Sequence, residues 1–376
     1  MHLPEGDAAC AQQVMPGNAL RWFSANGAEP PVRFVHADDR MSANRAYRLV
    51  SRGTGLLWQG DFHQARQLLS ALSRRLQRPQ KRTSSAAEAF LHHRQEQSRR
   101  ARALSLVMVR IESDHALELR RAPDVGPACR DVYGEVDAPY VVPLRELLGV
   151  ISAGEWRRKG VAVPALGAHI HPHYGVFAPT RNEYVDLVAD APLPPVRTAF
   201  DIGTGTGVLA ALLVRRGVAR VVATDSSARA IRCAEDNVRR LGLTGRIEPV
   251  EADLFPPGRA QLVVCNPPWL PAQPHSSLDH AVYGPESRML LDFLDRLPDH
   301  LQPGGEGWLI LSDLAERLGL RTRAELLDAV HRAGLRVVAR SDTEPRHPKA
   351  AAPGDPFHAA RAGEVISLWR LAPIEG

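Results

Sequence analysis

From Pro195 onward, short apolar runs alternate with longer segments in which apolar residues recur every three or four positions. The runs near 197–202, 219–224, 247–251, 261–265, 307–312, 335–340 and 364–370 have the length of buried strands. Helical periodicity fills the intervals at about 207–216, 227–241, 286–302 and 322–333. Such alternation predicts a doubly wound α/β fold with seven strands. Residues 40–165 read differently. Phe62, Ala65, Leu68, Leu69, Leu72 and Leu76 share one helical face behind Asp61, a residue suited to capping that helix. Ser85 with Glu88 has the spacing of a capping box, and Leu144 to Ile151 is another apolar helix. Val161–Val163 and His169–Phe177 predict a hairpin leading into the C-terminal part. The expected layout is therefore a poorly ordered segment over 1–35, a mainly helical domain over 36–165 and an α/β domain over 166–376. Glu344 to Ala360, rich in Pro and Ala, reads as a long loop before a final edge strand.

Length and composition refine this picture. A chain of 376 residues exceeds one typical domain, and 44% apolar with 24% charged residues fits a globular protein. The N-terminus has no apolar run of the length that a signal peptide or membrane span needs, so the expectation is a cytoplasmic protein without membrane contact. Cys10, Cys129, Cys233 and Cys265 are scattered without metal-binding spacing, and neither disulfides nor a metal site is expected. Charge is uneven. Residues 1–165 hold 24 Arg and Lys against 17 acids, whereas 166–376 hold 23 against 25. Between Met41 and Arg110 the balance is 14 basic to three acidic, including Arg74, Arg75, Arg78, Lys81, Arg82, Arg99, Arg100 and Arg102. A surface of that kind attracts phosphate backbones, which suggests RNA or the ribosome as a partner. The 44 Arg to three Lys equally fit a chain that writes Arg on every solvated helix face.

The candidate chemistry lies in the C-terminal part. Ala199 to Ala210 reads AFDIGTGTGVLA: a short strand, the acid Asp201, then Gly203, Gly205 and Gly207 before an apolar helix. Glycines so spaced let the backbone turn sharply and approach a ligand where a Cβ would collide. The next strand ends in Asp225, placed to accept both hydroxyls of a ribose. The third ends near Asp253, which can accept from the amine of an adenine, with Leu254 and Phe255 packing on the ring. The fourth runs into Asn266, Pro267, Pro268 and Trp269. There the Asn266 side-chain oxygen and the Pro267 carbonyl can each accept one N–H of an amino group, turning its lone pair toward an electrophile. Tandem prolines stiffen the turn, and Trp269 offers a face for a planar group. Gly205, Gly207 and Ala210 also satisfy the dinucleotide fingerprint with Asp225 twenty positions on, as in a dehydrogenase. That alternative leaves Asp253 and the NPPW turn unused. His169, His171 and His173 alternate, so on a strand all three would face one side; local packing or a substrate lid explains them better than a metal.

With those motifs in place, residues from about 170 to the C-terminus resemble a class I S-adenosylmethionine-dependent methyltransferase of the methyltransferase small domain group. That group includes HemK-like release-factor glutamine methyltransferases and ribosomal RNA base methyltransferases. The resemblance implies a seven-stranded Rossmann-like sheet and S-adenosylmethionine as cofactor, held by Asp201, Gly203, Gly205, Gly207, Asp225 and Asp253 with Leu254. It places catalysis at Asn266 to Trp269, where tryptophan departs from the commoner tyrosine or phenylalanine. Tyr174 to Tyr184 (YGVFAPTRNEY) resembles the lead-in segment that closes over the cofactor, with Phe177, Pro179, Arg181 and Glu183 as its candidates. Arg181 is the candidate partner of the cofactor carboxylate. The expected reaction is methylation of a planar nitrogen, first a glutamine amide of a translation-related protein, alternatively an exocyclic amine of an RNA or DNA base. A small-molecule acceptor and a non-catalytic RNA-binding protein on the same fold are the lesser alternatives. HemK-like enzymes also carry a helical N-terminal domain followed by a hairpin; that likeness is architectural and transfers no residues.

Overall fold

The computed structural model describes residues 11–15, 20–78, 83–272, 278–346 and 357–374. The chain divides into two compact units, Met1–Ser84 with Leu91–Trp156, and Ser85–Phe90 with Arg157–Gly376.

In chain order the front part contains β1 (Ala11–Val14), β2 (Arg21–Ser24), β3 (Arg33–Ala37), α1 (Ala43–Val50), β4 (Thr54–Trp58), α2 (Phe62–Leu76), α3 (Ala86–Ser105), β5 (Val107–Ile111), α4 (Gly126–Tyr133), β6 (Tyr140–Pro143) and α5 (Leu144–Lys159). The expected helices are present. The whole apolar face of α2 is buried, and Asp61 caps it by accepting from His63 N and Gln64 N. Arg121 clamps the same carboxylate and holds its pKa down at about 2. Ser85 Oγ accepts from Glu88 N at the start of α3.

Around these helices lies something the helical reading left out: a six-stranded mixed sheet in the order β1-β2-β6-β5-β4-β3. Its strands are four or five residues long, too short to show a period, and β4 and β6 are buried along their whole length. The sheet also corrects the expectation of a poorly ordered segment over 1–35. Trp22 and Phe23 of β2 are fully buried, and Trp22 Nε1 donates to Ala28 O. Buried Glu146 accepts from Ser24 Oγ and Ala25 N, pinning the end of that strand. Residues 1–10 and 16–19 lie outside the described residues, as do Lys81 and Arg82.

The second unit continues with β7 (Val161–Val163), β8 (Ala168–Ile170), α6 (Glu183–Asp190), β9 (Thr198–Ile202), α7 (Val208–Arg215), β10 (Arg220–Asp225), α8 (Ala228–Arg240), β11 (Ile247–Glu251), β12 (Ala260–Cys265), α9 (Arg288–His300), β13 (Leu301–Ser312), α10 (Leu314–Arg317), α11 (Arg323–Arg332), β14 (Leu335–Thr343), α12 (His358–Ala362) and β15 (Ile366–Pro373). Its seven-stranded sheet runs β11-β10-β9-β12-β13-β15-β14, with β15 antiparallel to both neighbours. Period-2 alternation sends successive side chains to opposite faces. Leu262, Val264, Trp308 and Ile310 join α6 and α7 in one core cluster. Phe200, Ile202, Val263, Cys265, Leu309 and Leu311 join α9 and α11 in the other.

From β9 the chain winds outward through β10 and β11, then returns to β12 on the other side. The strand order thus reverses between β9 and β12, the point where open α/β sheets bind ligands beyond their carboxyl ends. Two details differ from expectation. β13 begins six residues early, at Leu301, hidden in the sequence by Pro303, Gly304 and Gly305. The hairpin forms, but β8 stops at Ile170, so only His169 of the three histidines is on a strand. Of the Glu344–Ala360 stretch, residues 347–356 lie outside the described residues.

Candidate active site at the switch point of the sheet

The loop after β9 is built around Asp201. This carboxylate is buried, and its Oδ2 accepts from Thr204 Oγ1 at 2.6 Å and Ala210 N at 3.0 Å. It thereby ties the loop to the first turn of α7. Burial pushes its pKa up to about 6, against the lowering effect of those two donors. Gly203, Gly205 and Gly207 all have positive φ, at 70°, 57° and 80°. At Gly205 an added Cβ would meet nothing within 4 Å, so this glycine borders open space, whereas at Gly203 it would strike Met289. The loop is a cradle held from behind by Asp201.

Asp225, at the carboxyl end of β10, accepts from Gly205 N through Oδ2 and from Ser227 N through Oδ1, both at 3.0 Å. It therefore stands beside the open glycine. Burial raises its pKa, while donors from Ser227, Gly205 and Ser226 oppose the shift. Asp253 follows β11, and its carbonyl accepts from Arg296. Leu254 adopts φ 69°, and its carbonyl accepts from Thr224 Oγ1. Leu254 stays partly buried at the edge of the core. Phe255 does not face a ligand: it is buried and stacks on Phe293 and His300, with ring centroids 5.7 and 4.2 Å away. Its expected role against an adenine ring is corrected to packing.

Across the switch point, β12 ends at Cys265 and the NPPW turn follows. Pro267 is buried; Asn266, Pro268 and Trp269 are half-buried. Trp269 Nε1 donates to Asn266 Oδ1 at 2.9 Å. The indole packs against the core clusters on both faces of the sheet. Cys265, just before Asn266 in the chain, is buried, and desolvation holds its thiol well above the usual range. It stays neutral and offers no nucleophile beside Asn266.

The start of the lead-in segment and the residues just before it dock on α8. His171 N donates to Asn237 Oδ1 at 2.8 Å, and Asn237 Nδ2 reaches both His171 O and Thr206 O. His173 Nε2 bonds Asp236 Oδ2 at 2.8 Å, and Val176 packs on Ala230 and Cys233. Buried Asn237 thus links the segment that carries Phe177 and Arg181 to the glycine loop. Sequence reading missed it, although an Asn on the apolar face of an amphipathic helix was a visible signal. Phe177 packs against the core on the α7 side. Arg181 Nη1 lies 3.7 Å from buried Glu364, which also accepts from Ser312 Oγ. Glu183 is buried and accepts from Arg346 N.

A doubly wound sheet with a glycine cradle, an acid at the end of the next strand and an Asn-Pro-Pro turn across its switch point is the arrangement of a class I S-adenosylmethionine-dependent methyltransferase domain. Residues 168–320 match the family described as the methyltransferase small domain. That match sets the dehydrogenase alternative aside. The chain is 33% identical over 187 residues to a release factor glutamine methyltransferase of Cereibacter sphaeroides, covering 46% of this chain and 66% of that protein. It is 29% identical over 194 residues to a protein of the same name from Thermosynechococcus vestitus, covering 46% and 62%. A ribosomal protein L11 methyltransferase of Sorangium cellulosum is 29% identical over 212 residues, covering 54% and 59%. The chain therefore spans just under two thirds of the length of these relatives.

Proposed function

We propose that the protein is an S-adenosylmethionine-dependent N-methyltransferase whose acceptor is a glutamine side-chain amide of a translation-related protein. The observation that carries this reading is the half-buried Asn266 carbonyl, at the end of the strand next to the one bearing the glycine cradle. The cradle fits the cofactor: Gly205 borders open space, and Asp225 beside it has a carboxylate for the ribose. S-adenosylmethionine supplies an electrophilic methyl group on a sulfonium sulfur. An amide nitrogen is a poor nucleophile because its lone pair is delocalised. Asn266 Oδ1 and the Pro267 carbonyl would each accept one of its N–H bonds and turn that lone pair toward the methyl carbon. The nitrogen so turned would take the methyl group as the S–C electron pair is left on sulfur, and would release one proton to water. Arg181 and Phe177 are assigned to closing the lead-in segment over the cofactor, and residues 36–165 to recognising the acceptor.

The names of two relatives favour a glutamine amide over a base. An exocyclic amine of RNA presents the same N–H pair, so it is the outcome against which the test is set. Incubation with methyl-labelled cofactor and a cell extract, followed by separate protease and nuclease digestion, is expected to leave nuclease-resistant label in protein. Label released by nuclease would overturn the glutamine reading. Asn266→Ala is expected to cut turnover by about 10²-fold or more while leaving affinity for S-adenosylhomocysteine nearly intact. Asp225→Ala should weaken that affinity first. Unchanged calorimetric binding by Asp225→Ala would remove it from the ribose site.

A further inference from the structure

A carboxamide has two nearly isosteric orientations that exchange its oxygen for its NH2 group. Only one of them lets Asn266 accept from an acceptor nitrogen; in the other, N–H would meet N–H. Something must hold the amide in the productive orientation. Trp269 Nε1 lies 2.9 Å from Asn266 Oδ1. An indole N–H is a donor only, so it stabilises the orientation that presents oxygen and opposes the other. The ring cannot easily follow a rotating amide, because it packs against core clusters on both faces of the sheet.

We infer that Trp269 is a positioning residue that locks the Asn266 amide and leaves the second lone pair of Oδ1 for the acceptor N–H. This role rests on the N-methyltransferase reading and adds a specific function for tryptophan at this place. A phenylalanine here would have no donor. A tyrosine hydroxyl both donates and accepts, so it would satisfy either orientation. Among the three aromatic residues, tryptophan alone discriminates between the two.

Two independent readouts test this in the full chain. The six tryptophans give six indole signals in a proton–nitrogen correlation spectrum of 15N-labelled protein. Asn266→Ala is expected to move one of them upfield and speed its solvent exchange, and that signal should be the one missing from Trp269→Phe. If no indole signal responds to Asn266→Ala, the proposal fails, whether or not Trp269→Phe folds. The second readout is labelled methyl transfer to the protein fraction of an extract. Trp269→Phe is expected to lower turnover about five- to tenfold, the worth of one neutral hydrogen bond, with affinity for S-adenosylhomocysteine unchanged. In an Asn266→Ala background the same substitution should have no further effect, because the two residues act as one unit. An equal drop in both backgrounds would assign Trp269 a packing role only. If the wild-type protein labels no protein at all, the glutamine reading falls, and the spectrum still decides the Trp269–Asn266 contact.

Discussion

Asp201 carries a measurable signature of its burial behind the cradle. Its carboxyl titrates near 6 in the fold against an ordinary 3.8, because it is buried with Asp225 nearby. Between about pH 4 and pH 6 the native state therefore binds a proton that the unfolded chain has already lost. Stability then falls as pH rises through that window and levels off above it. A shift of this size corresponds to about 3 kcal/mol, as an order of magnitude. Asp201→Asn keeps an oxygen for Thr204 and Ala210 but has no proton to lose. Its urea midpoint is expected to be flatter between pH 4 and pH 7 than that of the wild type. Equal slopes in the two proteins would mean that Asp201 is ionised throughout. The sign is opposite at Asp61, whose carboxyl is held at about 2 by Arg121 and stabilises the fold only above its lowered titration range.

At the scale of elements, the lead-in segment and α8 form one mechanical connection. Asn237 donates to Thr206 O and His171 O and accepts from His171 N, so its removal takes a partner from three backbone groups, of which His171 O keeps the Cys233 thiol. Asn237→Ala is expected to lower affinity for S-adenosylhomocysteine about tenfold and speed hydrogen exchange over residues 171–181. Faster exchange with unchanged affinity would confine Asn237 to holding the segment. This connection also shows why part of the site was legible in the sequence and part was not. The glycine loop, Asp225, Asp253 and the NPPW turn are local patterns at strand ends, and the strand runs from 197 to 265 stand within a residue of where they were expected. Asn237 meets His171 across 66 residues of chain and Thr206 across 31, and Phe255 is buried by α9, so neither role has a local signature. Strands of the front sheet, four or five residues long, fall below the length at which alternation separates from chance.

For the whole molecule, the front-loaded positive charge bears on the choice between a protein and a nucleic-acid acceptor. The structure changes the weight of that charge. Arg99 bonds Leu76 O and Glu96, Arg100 bonds Ser73, Arg75 bonds Asn44, and Arg78 pairs with Glu96. Four of the eight basic residues that stand out in the sequence thus tie helices together or face an acid. Among the described residues, no helix is long and apolar enough to cross a membrane. A surface that engaged six or more phosphates would lose about 10³-fold or more in affinity between roughly 50 and 200 mM salt. With half of these eight basic residues engaged in contacts within the protein, the full chain is expected to lose less than about tenfold in filter binding to ribosomal RNA over that range. A steep response would show that these arginines leave their partners for phosphate. It would then move the acceptor of Asn266 from an amide to a base.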